Sequence, residues 1–446
     1  MRPATAWRIE IRETTKLALP LMLAQAAVMV MGIVDTLVVG RLAPDDLGAV
    51  SLGISVGHGI MVLGLGVVMV LETLVSQALG AGDPDRAWAW WKTGVRAGLL
   101  FGAPLTAAGI LLCAETPALG IDAPLAARAV EFLYARAPGF IVFLPFIAAR
   151  SVLQSYGRTR SLVVAAIVAN VFNAITDVLM VPGGLGLPAL GGVGAGLATS
   201  VSTAIMLAIL LVDLRTLRPA GAATPPAKGS LGRLVRLGLP LSAQLAAEYL
   251  VFSTIGVLAA AFGKTSAAAH TIALHCSTLT FMAAIGIGGA TTTRVGYAVG
   301  RGDGVGARRA GLVGMTLTLA LMTSSAIVFL ALHGPIAALF APDEPPIRVL
   351  AGELIAIAGL YQLFDGLQVV MAAALRGAGD LKRPLLITAV AYWGVGFPVA
   401  YGLAFGGGLE APGLWYGLTA GLAAAGLALL VRFVYISGRA ITPVGA

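Results

Sequence analysis

Twelve apolar runs recur along this chain, each about twenty residues or longer, which is the length an α-helix needs to cross a bilayer. Their cores lie at 17–40, 48–79, 93–113, 128–149, 160–182, 192–213, 235–262, 270–298, 310–332, 348–374, 385–405 and 412–436. No soluble core can hide so much apolar surface. Only 11% of the residues are charged and 58% are hydrophobic, where soluble domains carry about 25% charged residues. The expected fold is therefore an all-α integral membrane protein with twelve transmembrane helices. The run after the first sixteen residues is too long for a leader and lacks a small-residue cleavage site. Residues 1–15 thus read as a cytoplasmic segment ahead of a retained first span.

Basic residues fix the expected orientation. With both termini in the cytoplasm, twenty-four of the twenty-nine Lys and Arg fall on the inner side, and only Arg41, Arg128, Arg136, Lys264 and Arg348 fall outside. The net charge of +8 does not point to nucleic acid, because these residues sit between apolar runs and form no stripe with interleaved aromatics. Cys113 and Cys276 stand in separate apolar runs without metal-ligand spacing and read as small buried hydrophobes.

The chain also repeats itself. Lys16 to Pro20 (KLALP) returns 220 residues later as Arg236 to Pro240 (RLGLP), and Gly80-Ala-Gly-Asp83 returns in the same register as Gly300-Arg-Gly-Asp303. Glu131 and Gly157 return at 222 residues as Glu353 and Gly379. A polar stretch rich in proline and basic residues, 214–234, separates the copies and reads as a cytoplasmic linker. The predicted organisation is a six-helix lobe at 16–213, a second at 235–436, and a cytoplasmic tail at 437–446. Two lobes repeated in the same orientation are a transporter architecture, with the site between or within them.

Acids inside the spans carry the functional argument, because a buried ionisable group is costly in a membrane unless it serves an ion or substrate path. Asp365 lies deep in the tenth run, with Tyr361 four residues before it and Gln368 three after, all on one helical face. Asp35 lies near the outer end of the first run. Asn170, Asn173 and Asp177 share one stripe of the fifth, and Thr199 in the sixth can add a hydroxyl. Asp35, Asn173, Asp177 and Thr199 form an oxygen set suited to a shared proton or to sodium. Glu248 and Gln244 share a face of the seventh run. Desolvation disfavours a charged carboxylate, so Glu248 is expected to exchange protons near neutrality. Glu248 and Asp365 thus join the coupling set, and with Tyr361, Gln368 and Gln244 they form the expected substrate-binding set. Glu72, nearer the inner end of its run, is a secondary site or gate.

Other patterns lead elsewhere. His58, His270, His275 and His333 show no chelating spacing, so no metal site is expected apart from a possible sodium position. Gly53-Ile-Ser-Val-Gly57 fits the G-x-S-x-G nucleophile pattern. That motif needs a strand-turn-helix elbow, whereas here it lies within a helical run, so an intramembrane hydrolase is a weak alternative. Pro20 and Pro240 read as opening their spans near the inner face, as candidate hinges, while Pro138, Pro145 and Pro398 interrupt theirs. Trp88, Trp90 and Trp91 read as interface anchors.

Several of these residues together resemble the multidrug and toxin extrusion (MATE) family, in its NorM-like branch. They are Leu19-Pro20, Val34-Asp35-Thr36 with Val39-Gly-Arg41, Glu72 to Gln77, Gly191 to Gly194 with Ala198-Thr199, Leu239-Pro240, Glu248, Ala268 to Ala273, Leu363 to Gln368 and Leu375 to Asp380. The resemblance runs from about residue 16 to about 435. It implies an inner-membrane antiporter, not an enzyme, exporting organic, mainly cationic or aromatic compounds as protons or sodium ions flow inward. It implies no cofactor. The partners it implies are small organic substrates and the lipid bilayer, with no nucleic acid, and the chain is read as a monomer. One departure is Asp177, where NorM-like members carry Asn and the DinF-like and archaeal branches carry Asp. A lipid-linked oligosaccharide flippase of the same superfamily is the alternative, but the spans show no arginine pair for a pyrophosphate. A major-facilitator carrier would need a basic inner-loop motif that this chain lacks.

Overall fold

The computed structural model describes residues 3–184, 186, 188–219, 227–439 and 441–444. Among these the chain is helical throughout, with no strand. Its helices are α1 (Pro3–Leu42), α2 (Leu47–Met69), α3 (Leu71–Gly80), α4 (Pro84–Ala114), α5 (Ala123–Ser155), α6 (Arg160–Met180), α7 (Gly191–Arg215), α8 (Ser230–Ala261), α9 (Lys264–Gly300), α10 (Gly304–Phe340), α11 (Pro345–Gly377), α12 (Lys382–Ala389), α13 (Phe397–Tyr401) and α14 (Glu410–Ser437). They make twelve spans long and apolar enough to cross a membrane. The second is formed by α2 and α3 together, and the eleventh by α12, α13 and the wide π-helical turns Val390–Gly396 and Gly402–Gly406. The π turns flank Pro398, whose missing N–H leaves a ladder carbonyl to be accommodated. Of the expected linker, residues 220–226, with Gly221, Pro225 and Pro226, lie outside the described residues, and Ser230 already opens α8.

The repeated Gly-x-Gly-Asp motif has a local physical cause. Gly82 and Gly302 take left-handed φ values of 77° and 72°, which turn the chain between helices without a Cβ penalty. Asp83 and Asp303 then cap the next helix, accepting from Arg86 N at 2.9 Å and Gly306 N at 2.7 Å.

The chain forms two compact units: an N-terminal one, Leu23–Ala243, and a C-terminal one, Met1–Met22 with Gln244–Ala446. Within the C-terminal unit the start of α1 packs on α9, where a Cβ at Gly286 would stand 2.6 Å from Met22 N, and Arg294 holds Glu10 through two bonds of 2.7 and 2.8 Å. Within the N-terminal unit the start of α8 packs on α2 in the same register. Gly66 stands against Ser242, 220 residues before Gly286 and after Met22, and Ser242 Oγ donates to Leu63 O at 2.6 Å. Glycine at these two positions permits backbone approach that any side chain would block.

Two expectations need correcting here. Pro20 and Pro240 do not open their spans; α1 and α8 run through them from Pro3 and Ser230. The polar lead-ins are tied to other helices, 3–16 to α9 through Glu10 and Arg294 and 230–237 to α4 through the Ser230 and Thr93 hydroxyls 3.2 Å apart, a cause that hydropathy does not record. Trp88, Trp90 and Trp91 do not lie at a surface, since all three are buried at the start of α4.

Candidate functional site

Each unit holds a pair of acids within its spans, buried except for the half-buried Glu248. In the N-terminal unit α1 supplies Asp35, α6 supplies Asn173 and Asp177 one turn apart, and α7 supplies Thr199. Thr199 Oγ1 donates to Asp35 Oδ2 at 2.8 Å. Asn173 and Asp177 are fully buried and Asp35 nearly so. With both acids ionised, Asp35 Oδ1, both Asp177 oxygens and both polar atoms of Asn173 have no hydrogen-bond partner. The Asp35 and Asp177 carboxyl groups are neighbours, so a proton shared between them would pair one oxygen of each. A small cation held among these oxygens would pair more of them, and either lowers the cost of burying unpaired acceptors. Asn170 does not join this set: its Nδ2 donates to Ala27 O at 2.9 Å and Ala166 O at 2.8 Å, tying α6 to α1.

One charged residue stands beside this cluster that the sequence reading assigned to the outer face. Arg136 lies well inside α5, only 8% exposed, and its guanidinium is within electrostatic reach of Asp35. The guanidinium carbon sits 4.8 Å from the centre of the Phe140 ring, a cation–π contact. A single arginine among apolar residues reads as a span-end charge by hydropathy. The signal that marks it as internal is Gly139 and Phe140 on the next turn, space and an aromatic face for a guanidinium.

In the C-terminal unit α11 carries Tyr361, Gln362, Asp365 and Gln368 on one buried face. Glu248 of α8 reaches the Gln368 side chain and the Tyr392 hydroxyl, and it is electrostatically coupled to Asp365. Asp365 Oδ1, Gln368 Oε1 and Tyr392 Oη are buried without a well-formed hydrogen bond. The walls are aromatic: the Tyr361 and Trp415 rings meet at a 59° tilt with centres 5.2 Å apart, and Trp415 Nε1 donates to His270 Nδ1 at 3.2 Å. Gln362 Oε1 accepts from Thr280 Oγ1 at 2.9 Å and Ser325 Oγ at 3.0 Å, which locks α11 to α9 and α10. Gln244 is buried one turn before Glu248 on α8. Tyr392, Trp415 and His270 were not expected at this cluster, since each is distant in sequence from Asp365 and lacks an intramembrane charge.

Glu72 opens α3 in a separate polar patch of the N-terminal unit, where Ser155 Oγ of α5 donates to its backbone carbonyl at 3.3 Å. The Gly53 to Gly57 stretch is continuous helix within α2, packed on Phe132 and Phe140 of α5, with no nucleophile elbow.

The family model described as MatE matches the chain twice, at residues 20–179 and 240–402, beginning at the two prolines of the repeat. The chain is 36% identical over 434 residues to a probable multidrug resistance protein NorM of Burkholderia pseudomallei, covering 94% of this chain and 92% of that protein. It is 35% identical over 447 residues to the multidrug resistance protein PmpM of Pseudomonas aeruginosa, covering 97% and 93%. The crystal structure of the eukaryotic MATE transporter AtDTX14 superposes with a TM-score of 0.87 at 21% identity, covering 96% of each chain. The chain belongs to the MATE family and is a multi-pass membrane transporter, not an enzyme.

Proposed function

We propose that this protein is a secondary active antiporter of the inner membrane that exports organic, mainly cationic or aromatic compounds in exchange for protons, with sodium as the alternative coupling ion. The observation that carries the reading is that each unit holds a pair of acids within its spans, of which Asp35 Oδ1, both Asp177 oxygens and Asp365 Oδ1 are buried without a hydrogen-bond partner. Intramembrane acids of this kind mark ion and substrate paths. The names of the relatives, multidrug resistance proteins, support export of varied small molecules.

In this reading Asp35, Asn173, Asp177 and Thr199 take the coupling ion. Glu248 and Asp365 attract an organic cation, Tyr361 with Trp415 supplies a flat face for it, and Gln368 and Gln244 line the approach. The same two acids release the compound on taking up protons, since the neutral acids no longer attract it. Glu72 is a secondary site or gate. The moving bodies are the lobes 16–213 and 235–436, with both termini cytoplasmic. Pro20 and Pro240 are the hinges, a role supported by the passage of α1 and α8 from one compact unit to the other just after each proline.

The test is uptake of a fluorescent organic cation into proteoliposomes, first under a proton gradient without sodium and then under a sodium gradient at fixed pH. Protons alone are expected to drive it. Activity only with sodium removes the proton assignment, and full activity in an Asp35→Asn/Asp177→Asn protein removes the site.

A further inference from the structure

The N-terminal acid cluster carries a charge of its own that neither a proton nor sodium supplies. Arg136 is fixed in place: its guanidinium lies along α5 over the space left by Gly139, under the Phe140 ring. A Cβ at 139 would meet Arg136 Nη1 and stand 2.7 Å from Ser200 Cα. Ser200 Oγ closes the same seam by donating to Ala135 O at 2.9 Å. Nη1 has no hydrogen-bond partner among the described residues. The guanidinium stands against Ser200, next to Thr199, whose Oγ1 donates to Asp35 Oδ2 at 2.8 Å, and from there it acts on Asp35 through its field. The other titratable group that feels it is His58 of α2, whose Nδ1 faces Ile54 O at 3.0 Å. An arginine keeps its charge across the physiological range, so this cation never leaves.

We propose that Arg136 is the resident counter-cation of the acid pair and sets the valence of the ion the pair accepts, one monovalent charge. This rests on the reading of Asp35 and Asp177 as the coupling pair. Two carboxylates and one guanidinium leave a single negative charge, which one proton or one sodium ion neutralises. A divalent ion overfills the site and meets a fixed positive charge beside it. Without the guanidinium, two carboxylates with the Asn173 and Thr199 oxygens form a doubly negative oxygen cage, the chemistry that holds a divalent cation.

The experiment is manganese(II) binding to the purified full chain in nanodiscs, read by electron paramagnetic resonance. Wild type is expected to show no saturable site that depends on Asp35. Arg136→Gln is expected to gain one, tightened by roughly tenfold or more through loss of a nearby unit charge in a low-dielectric interior. Adding Asp35→Asn is expected to abolish that gain. Arg136→Lys, which keeps the charge, is expected to exclude manganese as wild type does. Arg136→Gln/Asp177→Asn, which restores the single negative charge, is expected to exclude it again, and this pair remains informative if the single Gln variant folds poorly. Equal manganese binding in wild type and Arg136→Gln overturns the inference, as does undiminished binding in the charge-restored pair. Failure of the coupling reading is separately visible, as gradient-driven dye transport that survives Asp35→Asn/Asp177→Asn.

Discussion

The two acid clusters occupy matching halves of a repeat and differ in almost every chemical detail. Helix α11 begins and ends 222 residues after α5, from Ala123 to Pro345 and from Ser155 to Gly377. In that register Tyr361 answers to Gly139, Asp365 to Phe143, and Arg136 to Ala358. Where the C-terminal unit puts an aromatic side chain and an acid, the N-terminal unit puts a space and the guanidinium that fills it. Neither pair of acids on the partner helices matches either: 220 residues after Asp35 stands Ile255, and 220 before Glu248 stands Val28. The backbone repeat therefore persisted while the charges moved. In the proposed reading the N-terminal unit's oxygen-rich cage, with its fixed cation, takes a small ion. In the same reading the C-terminal unit's aromatic-walled acid cluster takes a flat organic cation.

The largest expected effect lies in the C-terminal unit. Asp365→Asn removes a charge and almost no volume, so it should abolish dye export, a loss of tenfold or more, with membrane insertion intact. Dye efflux from intact cells at matched expression measures this, and wild-type efflux would break the assignment of the organic cation to that unit. Next comes Asp177→Asn, which takes the N-terminal cage from two acids to one. Proton-driven export is expected to fall severalfold while dye binding by fluorescence quenching stays unchanged. A change in dye affinity equal to that of Asp365→Asn would erase the distinction between the units.

Smaller effects sharpen the same contrast. Gly139→Ala presses on Ser200 and on the Arg136 guanidinium, so it is expected to destabilise the protein by about 1–3 kcal/mol, read as a lower melting temperature in detergent. The matching change in the other unit, Tyr361→Phe, should leave stability nearly unaltered, because it removes only a hydroxyl. Smallest is Trp415→Phe, which deletes the hydrogen bond to His270 at a cost of about 1 kcal/mol. It should weaken dye binding a few-fold and leave ion dependence alone.

The number and order of the spans were legible in the sequence because hydropathy is a local property, and twelve runs became twelve spans. So was the meeting of Asp35, Asn173, Asp177 and Thr199, since helical spacing put two of them on one face and polar residues in apolar runs must find one another. What depends on neighbours was not legible. The helical lead-ins before Pro20 and Pro240 are held by contacts distant in sequence, Glu10 with Arg294 and Ser230 with Thr93. Tyr392 reaches Glu248 from a π-helical segment that no periodicity announces. Arg136 was misread because span-end arginines are common and its pocket is built from Gly139, Phe140 and Ser200 on two helices.

The most direct test of the division between the units is a crossed binding measurement on two double variants in nanodiscs. Asp35→Asn/Asp177→Asn and Glu248→Gln/Asp365→Asn would each be titrated with a fluorescent organic cation and, separately, with sodium by calorimetry. The account predicts that the first variant keeps dye binding and loses sodium binding, and that the second loses dye binding and keeps sodium binding. Loss of both ligands in both variants, with each protein folded, would contradict it.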